Sequence, residues 1–207
     1  MDIVITIFSL VVLLFSVIIH ELAHGNIANS LGDPTAKYSG RLTLNPLKHL
    51  DPFGSVILPL LLFISGSPVL VGWAKPVPIN PYNFKDQRWG SFKVAVAGPL
   101  SNIVLALFFG LVIRFLPASV FSLAPGLFLI FSFIVQINIM LAIFNLIPIP
   151  PLDGSWIFFK LLPDSFDKLK AFLQQYGLFI LIFLIFFGGL QSLNSIAQYF
   201  FRIITGI

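Results

Sequence analysis

Long runs of apolar residues alternate with short polar connections along this chain. A helix needs about 20 mostly apolar residues to cross the hydrocarbon core of a bilayer. Runs of that length therefore predict membrane-embedded helices, whereas the polar connections predict segments at the membrane surface. Five such runs are found, at residues 3–29, 52–72, 92–116, 126–147 and 176–201.

The second run differs from the others because it is interrupted. Pro59 and the Ser65-Gly66-Ser67-Pro68 cluster break it, and Gly and Pro together are strong turn signals. Non-helical backbone is tolerated at membrane depth where protein surrounds it. We therefore predict that residues 52–72 enter the membrane and return, as a re-entrant segment. A proline-kinked full crossing is the alternative.

Charge in the connections predicts the orientation. Lys and Arg occur after the first, second and fourth runs, whereas residues 117–125 carry no charge. The positive-inside rule places the basic connections in the cytoplasm. We expect an external N-terminus, four full crossings and the re-entrant segment.

The connection after the first run has its own local pattern. Polar and apolar residues alternate over Arg41-Leu42-Thr43-Leu44, which is typical of a short strand. The predicted fold is thus an all-α integral membrane protein. It is a polytopic helix bundle in one domain, residues 1–207, with a re-entrant segment and a short β-like connection on the cytoplasmic side.

Composition supports a multi-pass protein of the cell membrane. Hydrophobic residues make up 57% of the chain and charged residues only 10%, against about 25% charged residues in soluble domains. The net charge of +4 suits loops near anionic lipid, and the absence of a basic stripe argues against nucleic acid. The N-terminus lacks a basic start, so we expect the first run to remain as a helix.

Candidate chemistry begins near the end of the first run. The chain has no cysteine, so a metal would have to be held by His, Asp or Glu. His20-Glu21-Leu22-Ala23-His24 places two imidazoles on one helix face, where both can bind one zinc ion. Ionisable residues inside a membrane helix are costly, which favours a functional site. A pair of polar residues satisfying each other, or a chance match, is the alternative.

Asp153 is the candidate third ligand. Most other acidic residues lie in polar connections, whereas Asp153 follows the fourth run after prolines at 148, 150 and 151. Those prolines end the helix and extend the backbone. The first and fourth runs travel in the same direction, so Asp153 can reach the depth of His20 and His24. The alternative is a loop aspartate that caps a helix beginning near Gly154.

The two motifs together resemble the site-2 protease family of intramembrane zinc metalloproteases. The resemblance rests on His-Glu-Leu-Ala-His-Gly at 20–25 and on Asn-Leu-Ile-Pro-Ile-Pro-Pro-Leu-Asp-Gly at 145–154. Segments 40–52, 72–78 and Ala-Gly-Pro-Leu-Ser-Asn at 97–102 resemble its bacterial members. The resemblance covers about residues 15–160.

This resemblance implies one Zn²⁺ held by His20, His24 and Asp153, with Glu21 as the general base. It also implies Asn145 and Asn102 as polar support near the scissile bond, although Asn102 could instead pack helices. The expected partners are the lipid bilayer and single-span membrane proteins or peptides, cleaved near the cytoplasmic face. We expect a compact member of the family without a PDZ or CBS domain.

Two other classes of protein compete with this interpretation. A transporter would show repeat symmetry and ionisable residues spread over several helices, whereas here they converge on one site. A catalytically inactive scaffold that binds helices would have lost Glu21 or a ligand. His49 is the remaining histidine and is predicted to be a hydrogen-bonded structural residue. Gln136 and Asn138 are predicted to join neighbouring helices.

Overall fold

The computed structural model describes residues 3–65 and 74–207, most of which are helical, and there is no β-strand among them. Four helical segments are long and apolar enough to cross a membrane: Val4–Ser30, Gly90–Phe115, Gly126–Asn145 and Asp164–Gly189. The predicted all-helical, multi-pass fold is confirmed at this level. The α-helices of the described residues are α1 (Ile3–Ser30), α2 (Thr35–Tyr38), α3 (Leu58–Ile64), α4 (Gly90–Phe115), α5 (Ala118–Leu123), α6 (Pro125–Asn145), α7 (Asp153–Leu161), α8 (Asp167–Leu184) and α9 (Leu190–Thr205).

Helix α4 is the centre of the bundle and packs against α1, α6, α7 and α9. Small residues on α4 allow this close approach, as is common between membrane helices. A Cβ at Gly110, for example, would lie 2.3 Å from Ile204 Cγ2 on α9. The apolar core between α4, α6 and α9 consists of Ala106, Ile113, Val135, Ile139 and Ala197.

Buried amides join the three helices around the site. Asn138 on α6 donates to Ser16 Oγ on α1 at 2.9 Å, and its side-chain oxygen accepts from Asn102 Nδ2 on α4 at 2.9 Å. Gln136 Nε2 donates to Asn194 Oδ1 on α9 at 3.4 Å. Both residues therefore make interhelical hydrogen bonds.

Two polar connections pack together beside the end of α1. The first connection, residues 31–51, contains buried Asp33, whose carboxylate accepts from Asn80 N at 2.7 Å and Asn83 Nδ2 at 2.8 Å. The second connection, residues 74–89, is also joined to the first by Lys75 N, which donates to His49 O at 2.9 Å. The two connections thus form one folded unit against α1.

The predicted short β-like connection is not confirmed. Residues 42 and 43 form a bend and residues 41, 44 and 45 are irregular, so this segment is not a strand. Side chains form hydrogen bonds with the backbone of this segment: His49 Nε2 donates to Thr43 O at 2.8 Å, and Thr43 Oγ1 accepts from Asn45 N at 3.2 Å. Local hydrogen bonds of this kind compete with a β ladder, so the alternating sequence pattern does not form one here.

The predicted re-entrant segment is only partly within the described residues. A π-helical turn at Pro52–Ile57 leads into α3, and Asp51 caps it by accepting from Phe53 N and Gly54 N. Residues 66–73, where the chain would return, lie outside the described residues. Re-entry therefore remains a prediction.

The fifth apolar run is divided into two helices. Phe187 and Gly188 have non-helical backbone angles, with φ +94° at Gly188, and they separate α8 from α9. Glycine adopts that conformation at low cost. Helix α9 packs against α4 and α6, and its end is held by Arg114 Nη1, which donates to Ile203 O at 2.8 Å. The single run expected at 176–201 is thus a kinked pair that begins earlier, at Asp167.

Candidate metal centre

Three side chains from two distant parts of the chain converge at the end of α1. His20 Nε2 and His24 Nε2 lie 3.0 Å apart, one helical turn from each other. Asp153 Oδ2, at the start of α7, lies 3.1 Å from each of these nitrogens. Within residues 3–65 and 74–207, these three side chains are the one cluster of His and acidic groups suited to a metal ion.

The hydrogen-bond partners determine where the imidazole protons lie. His20 Nδ1 lies 2.7 Å from Asn102 Oδ1, and His24 Nδ1 lies 2.7 Å from Val94 O. An oxygen of this kind only accepts, so each Nδ1 carries the proton and each Nε2 presents a lone pair. The Asn102 amide has this orientation because its NH₂ group donates to Asn138 Oδ1.

Two lone pairs and a carboxylate oxygen therefore point at one another with no proton between them. That arrangement is unfavourable without a cation, and two histidines with one carboxylate are a common protein ligand set of catalytic zinc. A hydrogen bond from the second ring nitrogen is also the usual way to orient a zinc-binding histidine. The residues present thus fit a zinc ion.

Gly98 on α4 makes room for the two imidazoles. A Cβ at this position would lie 2.3 Å from His24 Nε2 and 2.6 Å from His20 Nε2. Gly98 lies in the segment at 97–102 that resembles the bacterial members of the family, but no role for it was predicted from the sequence. Its signal was the Ala97-Gly98-Pro99 sequence inside an apolar helix, where glycine often marks a close approach.

The proline-rich segment between α6 and α7 carries Asp153 to the histidines. The segment folds back on itself, so that a Cβ at Gly154 would lie 2.3 Å from Leu146 O. Asp153 is the first residue of α7, and its carboxylate faces the histidines. The N-cap of α7 is Leu152, and the helix begins at Asp153 without a side-chain cap, so Asp153 is not the capping residue of this helix.

Glu21 and Asn145 line a cavity of about 390 Å³ that opens beside the cluster. Glu21 Oε2 accepts a hydrogen bond from Val77 N at 2.7 Å. Asn145 Nδ2 donates to Leu141 O at 3.0 Å. The remaining cavity wall is mostly apolar and includes Pro76, Val77, Ile79, Phe84, Val94, Ala95, Pro151 and Trp156.

The two asparagines that were predicted near the scissile bond, Asn145 and Asn102, occupy different positions relative to the cavity. Asn102 is fully buried and stands behind His20, outside the cavity lining. Its amide is occupied by His20 and Asn138. This contact was missed because nothing in the sequence pairs residues 20 and 102, which are 82 positions apart.

His49 lies apart from the cluster of His20, His24 and Asp153. It is fully buried, and its Nε2 donates to Thr43 O at 2.8 Å within the first connection. The structure thus places it as the hydrogen-bonded structural histidine that was expected.

Comparison with known proteins gives a consistent result. The sequence model of peptidase family M50 matches residues 8–124 and 118–188. Three relatives carry the names of zinc metalloproteases. YwhC of Bacillus subtilis is 41% identical over 86% of this chain and 78% of its own length. Rip2 of Mycolicibacterium smegmatis is 29% identical over 94% and 72%, and a Methanocaldococcus jannaschii protein is 34% identical over 74% and 70%. No solved structure matches the chain at a significant level.

Proposed function

Because this chain belongs to peptidase family M50, the site-2 protease family of zinc metalloproteases, we propose that it cleaves peptide bonds in or near transmembrane segments. The predicted family, enzyme class and zinc cofactor are confirmed by these matches. The observation that carries the proposal is the His20, His24 and Asp153 cluster beside a cavity at the end of a membrane-length helix.

The geometry of the site supports a role for each of its residues. His20, His24 and Asp153 would hold one zinc ion, which polarises a peptide carbonyl and makes water more acidic. Glu21 lines the same cavity. Its carboxylate accepts a proton from the attacking water and later donates it to the leaving amine. Glu21 is therefore the general base and then the general acid.

The two asparagines support different steps. Asn145 lines the cavity and has a side-chain amide that can contact a substrate carbonyl. Asn102 accepts from His20 Nδ1, so it orients the imidazole instead of touching substrate. This division of roles replaces the expectation that both asparagines lie near the scissile bond.

A transmembrane substrate would have to unwind before attack, because the carbonyls of a helix are hydrogen-bonded within the helix. The apolar part of the cavity wall suits a short extended stretch from a single-span protein. The basic connections favour a cytoplasmic location for this site, with the N-terminus outside and residues 52–72 re-entrant. The lipid bilayer is then both the solvent and the route of substrate entry.

The test is cleavage of a single-span substrate by the purified protein in detergent, with zinc content measured on the same samples. Wild type is compared with Glu21→Gln and with Asp164→Asn, a substitution at an exposed residue. We expect one zinc in all three, and cleavage by wild type and Asp164→Asn only. Cleavage by Glu21→Gln at the wild-type rate would overturn the role of Glu21, and protein that takes up no zinc would overturn the metalloprotease itself.

The same assay, with zinc affinity measured as well, distinguishes the roles of Asn145 and Asn102. Asn145→Ala should lower cleavage while zinc affinity stays at the wild-type level. Asn102→Ala should weaken zinc binding about 10- to 100-fold, as is usual when a histidine ligand loses its hydrogen-bond partner. Equal zinc affinities in the two variants would contradict this division of roles.

A further inference from the structure

The second connection lies directly against the catalytic end of α1. Val77 is buried, and its N–H donates to Glu21 Oε2 at 2.7 Å. Gly25 permits this approach, because a Cβ there would lie 3.0 Å from Val77 Cγ1 and 2.6 Å from Leu42 Cδ2. One oxygen of the Glu21 carboxylate is therefore held by the backbone of the connection, which leaves the other oxygen for proton transfer.

Arg41 holds the same stretch of backbone from the opposite direction. Its guanidinium Nη2 donates to Lys75 O at 2.6 Å and to Pro76 O at 3.2 Å. Pro76 C=O and Val77 N–H belong to a single planar peptide unit. That peptide accepts from Arg41 at its oxygen and donates to Glu21 at its nitrogen, so it lies between a positive and a negative side chain.

Burial of the Arg41 guanidinium costs free energy, which indicates that Arg41 has a role beyond packing. Arg41 is only 6% exposed. Within the described part of the chain it forms no ion pair, and its Nε has no hydrogen-bond partner. Burying an unpaired charge is expensive. The compensation at Arg41 comes from backbone carbonyls, one of which belongs to the peptide that contacts Glu21.

We propose that Arg41 is a positioning residue for Glu21, acting through the peptide unit between Pro76 and Val77. The guanidinium fixes the peptide, and its charge polarises the C=O and N–H so that the bond to the carboxylate strengthens, as in other hydrogen-bond chains. This inference rests on the proposed role of Glu21 as general base. It assigns the first connection a part in catalysis although Arg41 does not line the cavity.

The first test compares Arg41→Met, Arg41→Lys and Arg88→Met with wild type. Arg88 is the matched control because it is an exposed arginine on the second connection. We measure kcat, KM and zinc content with the single-span substrate. Arg41→Met should lower kcat about 10- to 100-fold, the usual effect of a small misplacement of a catalytic group, with KM and zinc content unchanged. Arg41→Lys should recover part of the loss, and Arg88→Met should behave as wild type.

The second test is a double-mutant cycle with Glu21→Asp, which keeps a carboxylate but shortens its reach. If Arg41 acts through Glu21, Arg41→Met should cost less than about threefold in that background, because coupled residues are non-additive. An equal loss in both backgrounds would overturn the proposal. So would a raised KM at unchanged kcat, or loss of zinc in both Arg41 variants, since each indicates another role. Full activity of Glu21→Gln would instead overturn the proposed role of Glu21 as general base, and protein that takes up no zinc would overturn the proposed function.

Discussion

At the scale of single residues, position 98 decides how closely α4 approaches the two histidines. The two imidazoles occupy the space where a side chain would begin, since a Cβ would lie 2.3 Å from His24 Nε2. Close packing leaves no room for such an atom without displacing a ligand. The backbone of α4 contributes to the same site, because Val94 O holds the proton of His24 Nδ1. Helix α4 thus provides both the space for the two histidines of α1 and the acceptor that orients His24.

Gly98→Ala should therefore abolish stoichiometric zinc binding, and with it proteolysis, while the protein still inserts and folds. The reason is displacement of His20 or His24 by the new methyl group. Metal analysis of the purified protein measures the loss. Gly126→Ala is the control, because a Cβ there meets nothing within 4 Å, and it should keep full zinc. Wild-type zinc in Gly98→Ala would show that the approach of α4 does not limit the site.

At the scale of elements, Asp33 joins the end of α1 to the second connection. Burial alone would raise the pKa of its carboxyl, but hydrogen bonds from Thr35, Asn80 and Asn83 outweigh burial and hold the pKa below its ordinary value. A carboxyl with a lowered folded pKa stabilises the protein above its unfolded pKa, and this contribution is lost as pH falls through the folded pKa. Asp33 thus makes the docking of the two connections sensitive to acid.

Asp33→Asn should lower the thermal unfolding midpoint at pH 7, because an uncharged amide accepts these hydrogen bonds less well. The difference from wild type should shrink as pH falls below about 4, because the Asp33 carboxyl of the unfolded chain then binds a proton while the folded carboxyl still resists protonation. Unfolding in detergent between pH 7 and pH 3 measures this difference, with Asp164→Asn as the exposed control. A difference that stays constant over that range would show that ionisation of Asp33 has no part in stability.

The elements also show which features a sequence can predict. The His20–His24 spacing and the Pro-rich approach to Asp153 are local patterns, so the cluster was predicted from them. The contacts of Glu21 with Val77 and of His20 with Asn102 join residues far apart, and no local pattern records them. The alternation at 41–44 indicated a strand because periodicity ignores competing side-chain hydrogen bonds.

At the scale of the whole molecule, the bundle places its functional groups at one end. The cluster of His20, His24 and Asp153 lies where the C-terminal end of α1, the start of α4 and the segment after α6 meet. Helix α5 lies near the opposite end, between α4 and α6. The Lys and Arg of the two packed connections lie at the same end of the bundle as His20, His24 and Asp153. Residues 117–125, near the other end, have no charge. The positive-inside rule therefore predicts that the catalytic end faces the cytoplasm.

The chain lacks cysteine, so single cysteines introduced at exposed positions report this orientation directly. We expect Lys85→Cys to react with a membrane-impermeant maleimide only after intact cells are opened, and Ser119→Cys to react in intact cells. Both positions are exposed, which makes access to each side of the membrane the limiting factor. Cleavage activity measured in each variant confirms that the fold is intact. The opposite labelling pattern in active protein would place the metal site outside. Labelling of both positions from the same side would contradict the prediction that α4 crosses the membrane between them.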